Sequence, residues 1–307
     1  MSLYQRAREK EEKVFLSLTG STFAEFDELL PFFQAAWEDA RNASYHQDPS
    51  RQRQPGGGQK PALKTHEDRL FFILYYLKTY PLQEVMAFHF DLSQGQVNDW
   101  IYRLSRILQA ALDRYGCLPE RNPEQVQETA ADTPEREFAL DGTERERQRP
   151  RDPDAQSAYY SGKKKKHTVK NNLLVGVKDR LVKYLGQTHE GKKHDKKICD
   201  EEQPTYPEGS RLLQDTGFQG YAPEGVMTYQ PKKKPRGKEL SEDDKESNAL
   251  ISRVRIMVEH VIAGVKRLRI VKEVFRNTKE KFADLVMELA CGLHNFRTLA
   301  RSKIADF

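Results

Sequence analysis

Two apolar runs in this chain each stop at an aspartate, and an amphipathic helix carrying a glutamate follows them. The first run is Glu137-Phe-Ala-Leu-Asp141-Gly-Thr143 and the second Arg211-Leu-Leu-Gln-Asp215-Thr-Gly217; Glu259 lies within Arg255-x3-Glu259-x6-Lys266. Short apolar runs bounded by Gly, Thr and Asp are expected to form core strands. An acid at the end of such a strand is fixed on its buried side and open on the other. Three carboxylates so placed are candidate ligands for two divalent cations, Mg²⁺ or Mn²⁺, about 3.5–4 Å apart, an arrangement suited to in-line displacement at phosphorus. Each acid also has a plainer reading. An Asp at a strand end is a common turn residue or helix cap. A helix Glu with Arg one turn back and Lys two turns on can make surface ion pairs worth roughly 0.2–1 kcal/mol. Two such Asp residues and a helix Glu in this order favour the metal-binding reading.

The 307 residues are enough for two domains, each with its own core. Charged residues make up 32% of the chain and apolar residues 37%, which excludes wholesale disorder. No apolar run approaches the length of a membrane span, and the N-terminus has no apolar signal core, so a cytoplasmic, nucleoid-associated protein is expected. Cys117, Cys199 and Cys291 are far apart and match neither a zinc site nor a disulfide framework. The net charge of +5 is clustered in two blocks, Lys163-Lys164-Lys165-Lys166-His167 and Lys232-Lys233-Lys234-Pro-Arg-Gly-Lys238. Either block reads as a phosphate-backbone contact or as a solvated loop.

Residues 1–115 read as helical. Phe23, Phe26, Leu29, Leu30, Phe33 and Trp37 recur at spacings of three and four, and residues 46–62 form a Pro- and Gly-rich linker or basic loop. Thr65 before Glu67 and Asp68 marks a helix start, and Leu70, Ile73, Leu74 and Leu77 give that helix one apolar face. Pro81 opens a shorter helix, Asp91-Leu-Ser93 makes a tight turn with Ser93 as N-cap, and a long helix follows from Gln94 to about Arg114. This succession over residues 63–115 is that of a helix-turn-helix. Gln94, Gln96 and Asn98 then lie where the last helix meets base edges, and both residue types suit the two-point pattern of adenine. An ordinary three-helix bundle with a polar outer face is the alternative.

Residues 116–135, with Pro119, Pro123 and Pro134, read as a linker to a strand-rich region at 136–307. Within it, Lys166–Val177 and Leu181–Gly186 flank Lys178-Asp-Arg180 as an antiparallel hairpin. A helix at about Asp195–Gln203, the Asp215 strand and helices at roughly 241–269 and 278–302 complete an α/β order compatible with an RNase H-like sheet. Asp195 competes with Asp215 as the second acid. It begins a helix rather than ending a strand, which favours a cap or a partner for Lys196 and Lys197.

Asp141-Gly-Thr-Glu144, Gly191-x-x-His194-Asp195-Lys196, Asp215-x-Gly-x-x-Gly-Tyr221 and Arg255-x3-Glu259-His260 together resemble the DDE-superfamily transposases. The match is to the insertion-sequence and Harbinger-like group with its N-terminal helix-turn-helix, and it spans about Leu63 to Ala300. Ser252 departs from the pattern, since some relatives carry Tyr there. The resemblance implies an RNase H-like catalytic domain holding two Mg²⁺ or Mn²⁺ ions on Asp141, Asp215 and Glu259. Arg255 and Lys266 would be the flanking basic residues. It further implies cutting and rejoining of double-stranded DNA at terminal inverted repeats and a target site, by homodimers. A non-catalytic DNA-binding regulator, a domesticated transposase, and a metal nuclease acting on RNA or damaged DNA are the alternatives.

Overall fold

The computed structural model describes residues 1–46, 61–232, 239–279 and 281–305. It divides into two units, Met1–Leu118 with Arg267–Ile270 and Leu299–Phe307, and Pro119–Lys266 with Val271–Thr298.

The first unit opens with α1 (Leu3–Arg8), α2 (Glu12–Thr19) and α3 (Phe23–His46), followed by α4 (His66–Thr79), α5 (Gln83–Phe90) and α6 (Gln94–Tyr115). Local chemistry sets the boundaries. The Thr65 hydroxyl accepts from the Asp68 N–H, capping α4. Asp91 leaves α5 in the left-handed region at φ 53°, and Ser93 and Gln96 form a reciprocal capping box at the start of α6. Val97, Ile101, Leu104, Leu108 and Leu112 of α6 are all buried, as their spacing predicts, and so are Phe26, Leu29, Phe33 and Trp37 of α3. Each such side chain contributes about 1.5–3 kcal/mol of burial. The Arg69 and Arg103 guanidinium groups both pack on the Trp37 ring, each 4.2 Å from its centroid.

The second unit contains α7 (Val126–Thr129), β1 (Glu137–Glu146), α8 (Pro153–Tyr159), β2 (Tyr160–Ser161), β3 (Lys166–Gly176), β4 (Val182–Leu185), β5 (His189–Glu190) and α9 (Asp195–Glu202). It continues with β6 (Arg211–Gln214), β7 (Met227–Tyr229), α10 (Glu242–Val265), α11 (Arg269–Lys272) and α12 (Phe282–Ala305), of which α11 and α12 extend into stretches grouped with the first unit. Residues 119–135, within the stretch read as a linker, place Val126 and Ala130 in the core against Phe138 and Tyr184.

The sheet runs β2-β3-β1-β6-β7, with β4 and β5 also pairing with β3. β1 is antiparallel to β3 and parallel to β6, and β6 is parallel to β7, so the sheet is mixed, in the RNase H-like order. Side chains alternate across it as a strand requires. Phe138, Leu140 and Leu212 face α7 and α9, sharing a core with Cys199, Tyr206 and Phe218. Ala139 and Leu213 face the other way, onto Ile251 and Val258 of α10. Cys117, Cys199 and Cys291 are buried and free, and burial pushes each thiol up to about 12, which leaves them inert. Among the described residues no helix is long and apolar enough to cross a membrane.

Candidate active site

β1 and β6 stay paired only as far as Leu140 and Gln214. β1 then continues to Glu146 paired with β3 alone, so a crevice opens where β6 stops. Asp141 is the next residue on β1, and Asp215 is the first residue past β6, where it caps the short turn Thr216–Phe218. In sheets with parallel strands, this carboxyl-end crevice is where ligands bind. The two-residue period fixes their direction: Asp141 follows Ala139 and Asp215 follows Leu213, so both face α10. A small pocket there is lined by Asp141, Asp215, Ile251, Val254, Arg255 and Val258.

Asp141 therefore lies in the middle of a ten-residue strand, where the sequence pattern predicts a strand end. The polar half, Gly142–Glu146, is held by β3 through pairs such as Thr143 with Asn171 and Arg145 with Val169. That pairing is non-local and leaves no apolar alternation to detect.

Burial, then the Asp215 carboxylate, raise the Asp141 carboxyl to about 6, against the opposing pull of the Gly142 N–H and Arg255. The Gly142 N–H donates to Asp141 Oδ1 at 2.8 Å, and the Gly217 N–H donates to Asp215 Oδ1 at 2.6 Å. Both aspartates are thus oriented by backbone. Lys266, which caps the end of α10, donates to the Glu144 carbonyl at 3.1 Å. Burial, with Arg145 and Lys164 nearby, lowers its pKa, while Asp141 and Glu144 oppose that shift.

Asp195 enters from the opposite face of the sheet, and here the local reading is corrected. It is the first residue of α9, with His194 as N-cap, and its side chain caps nothing. Lys196 pairs with Asp200, and Lys197 with Glu201. The Asp195 carboxylate instead lies over Gly142, where a Cβ would meet it at 3.0–3.3 Å. Asp195 Oδ2 and Asp215 Oδ1 both fall within 3.4 Å of the point where a Gly217 Cβ would stand. The other oxygen, Oδ1, accepts from Lys170 Nζ at 3.0 Å, and Lys170 also reaches Glu144 Oε1 at 3.2 Å. Lys170 is only 6% exposed, so it supplies an almost dry positive charge between two carboxylates. The sequence offers no local signal for this lysine; its role follows from the pairing of Glu144 with Lys170.

Glu259 is exposed on α10, one turn beyond Arg255, and does not line the pocket. Among the described residues no three His, Cys, Asp or Glu side chains are arranged as they stand to hold a metal ion. Lys163, Lys164 and Lys165 are exposed on the turn between β2 and β3, whereas Lys166 pairs with Glu146 at 2.6 Å. Lys232 pairs with Asp244 and is bracketed by Asn248, and Lys233 and Lys234 lie outside the described residues. In the helical unit, Gln94 and Asn98 each hydrogen-bond Gln83, and the Gln96 side chain accepts from the Ser93 N–H.

A mixed sheet in this order, with paired acids in the crevice and a helix across them, defines an RNase H-like α/β protein that carries a separate helix-turn-helix. A family model described as DDE superfamily endonuclease matches residues 140–295, and one described as the helix-turn-helix of DDE superfamily endonuclease matches residues 61–113. The probable transposase for insertion sequence element IS702 of Microchaete diplosiphon is 28% identical over 249 residues, covering 81% of this chain and 86% of that protein. No solved structure matches. The chain belongs to the DDE superfamily of endonucleases and transposases.

Proposed function

We propose that this chain is a DNA transposase that cuts and rejoins double-stranded DNA at the terminal inverted repeats of its element, using Asp141, Asp215 and Glu259 as ligands for two divalent ions. The observation that carries this reading is the adjacency of Asp141 and Asp215 at the crevice with Arg255 against them. The donors fit such ions: hard carboxylate oxygens of like charge, with the Asp141 carboxyl raised to about 6 by burial and by the Asp215 carboxylate beside it. When bound, Mg²⁺ or Mn²⁺ would supply a nucleophile at neutral pH and offset charge on the leaving oxygen.

The chain's own groups do the positioning. The Gly142 and Gly217 N–H groups fix the carboxylate rotamers. Arg255 borders the pocket and is the group to meet a non-bridging phosphate oxygen. Lys266, whose Nζ donates to the Glu144 carbonyl and which interacts with Asp141, would lie along the path of the DNA backbone. Glu259 is the third carboxylate, carried on the same helix as Arg255 and about two turns before Lys266.

Residues 1–115 would bind the terminal repeat, with the helix-turn-helix at 63–115 and Gln94, Gln96 and Asn98 exchanging their internal bonds for base edges. Lys163–Lys166 and Lys232–Lys234 would neutralise phosphates. Two ends must be brought together, so the working unit is a homodimer on DNA. The test is nicking of duplex DNA carrying the element's own ends in Mg²⁺. Asp141→Asn, Asp215→Asn and Glu259→Gln should each drop cleavage to background while duplex binding persists. Glu259→Gln protein cutting at the wild-type rate would overturn the assignment.

A further inference from the structure

The sheet unit also carries an open groove of about 640 Å³, lined by Arg149, Gln156, Tyr160, Gly162, His167 and Lys192 among others. Its chemistry is distinctive. Tyr160 is 44% exposed, and its ring packs edge-to-face with His167, centroids 5.7 Å apart. Arg149 and Lys192 are exposed on the groove's walls, and the guanidinium is oriented by two hydrogen bonds to Gln156 Oε1 at 3.0 and 2.7 Å. Immediately after Tyr160 come Lys163, Lys164 and Lys165, all exposed, on a turn closed by the Lys165 N–H donating to the Ser161 carbonyl at 2.7 Å. No carboxylate partner occurs for these three lysines among the described residues. An exposed aromatic ring flanked by fixed cations is the composition that takes an unpaired base by stacking and its phosphates by charge.

The groove is tied to the acid pocket. The Ser161 hydroxyl, next to Tyr160, lies 3.2 Å from both carboxylate oxygens of Glu144. Glu144 continues through Lys170 to Asp195 over Gly142. Lys164 is close enough to Lys266 to depress its pKa. Breaking a strand beside Asp141 and Asp215 leaves an end free to fray, and a duplex offers no base face until it does.

We propose that Tyr160, with Arg149, Lys192 and the Lys163–Lys165 turn, forms a site for an unpaired nucleotide of the DNA end next to the cut. This rests on the DNA-cutting reading of the pocket. The full-length protein is titrated with a blunt DNA hairpin and with the same hairpin bearing a single-stranded oligothymidylate tail that contains one 2-aminopurine. The wild type should prefer the tailed probe by roughly tenfold, within the range of one stacked base, and quench the 2-aminopurine. Tyr160→Ala should erase both the preference and the quenching without lowering the melting temperature, and Tyr160→Phe should restore them. Equal binding of the two probes by the wild type, or an undiminished preference in Tyr160→Ala, overturns the groove and leaves the DNA reading standing. Binding of neither probe overturns both.

Discussion

Asp141 concentrates the physics of the pocket into one side chain. Its folded-state carboxyl is raised from 3.8 to about 6, so the folded protein holds more protons than the unfolded chain between those values. The sign follows: in the metal-free protein this group's contribution to stability is full below about pH 4 and is lost as pH rises through 6. With EDTA present, Asp141→Asn should therefore stabilise the protein at pH 7.5, by at most about 3 kcal/mol for a shift of some two units, and the gain should vanish near pH 4. Urea denaturation across that range checks it. Gly142 makes a second prediction. Gly142→Ala would set a methyl 3.0–3.3 Å from the Asp195 carboxylate, which must then give by a few tenths of an ångström; since misplacement on the order of 1 Å costs roughly 10²-fold in rate, a loss of several-fold is expected. Single-turnover cleavage should fall on that scale while the Asp195→Ala background, which removes the obstruction, loses little more on adding Gly142→Ala. Neither Lys170 nor the true setting of Asp195 was legible in sequence, because both depend on β1 pairing with β3 and on α9 crossing it. Local rules see only an acid starting a helix.

At the level of elements, the caps were the most legible features. Thr65, Ser93 and the Asp91 turn follow from short-range hydrogen bonding, and each stands where the pattern puts it. Ser93→Ala should cost about 1 kcal/mol of stability and weaken duplex binding, since the capping box fixes the start of α6; denaturation and a DNA titration measure the two effects. The hairpin of β3 and β4 and the α9 helix were equally readable from turn residues and period. The length of β1 was not, because its second half, Gly142–Glu146, is polar and owes its strand form to β3, a partner distant in sequence. The turn between β2 and β3 makes its own prediction. Replacing Lys163, Lys164 and Lys165 together by Ala should flatten the salt dependence of DNA affinity by nearly 3 in log–log slope, at about 0.9 for each phosphate no longer neutralised.

Across the whole molecule, a helical unit with a helix-turn-helix and a sheet unit with an acidic crevice share one chain, as in the DDE superfamily to which it belongs. Binding and cutting should thus separate by mutation: changes at Gln94, Gln96 and Asn98 should impair end recognition, and changes in the crevice should impair cleavage alone. The central claim is that Asp141, Asp215 and Glu259, spread over 119 positions of sequence, close on shared ions when those ions bind. Iron-directed cleavage of the polypeptide tests it without depending on activity. Fe²⁺ is loaded in place of Mg²⁺, with ascorbate and peroxide added, and the cut sites are mapped by mass spectrometry. Backbone scission is expected near all three acids, abolished together by excess Mg²⁺ and by Asp141→Asn. Scission near Asp141 and Asp215 with none near Glu259 would contradict the claim.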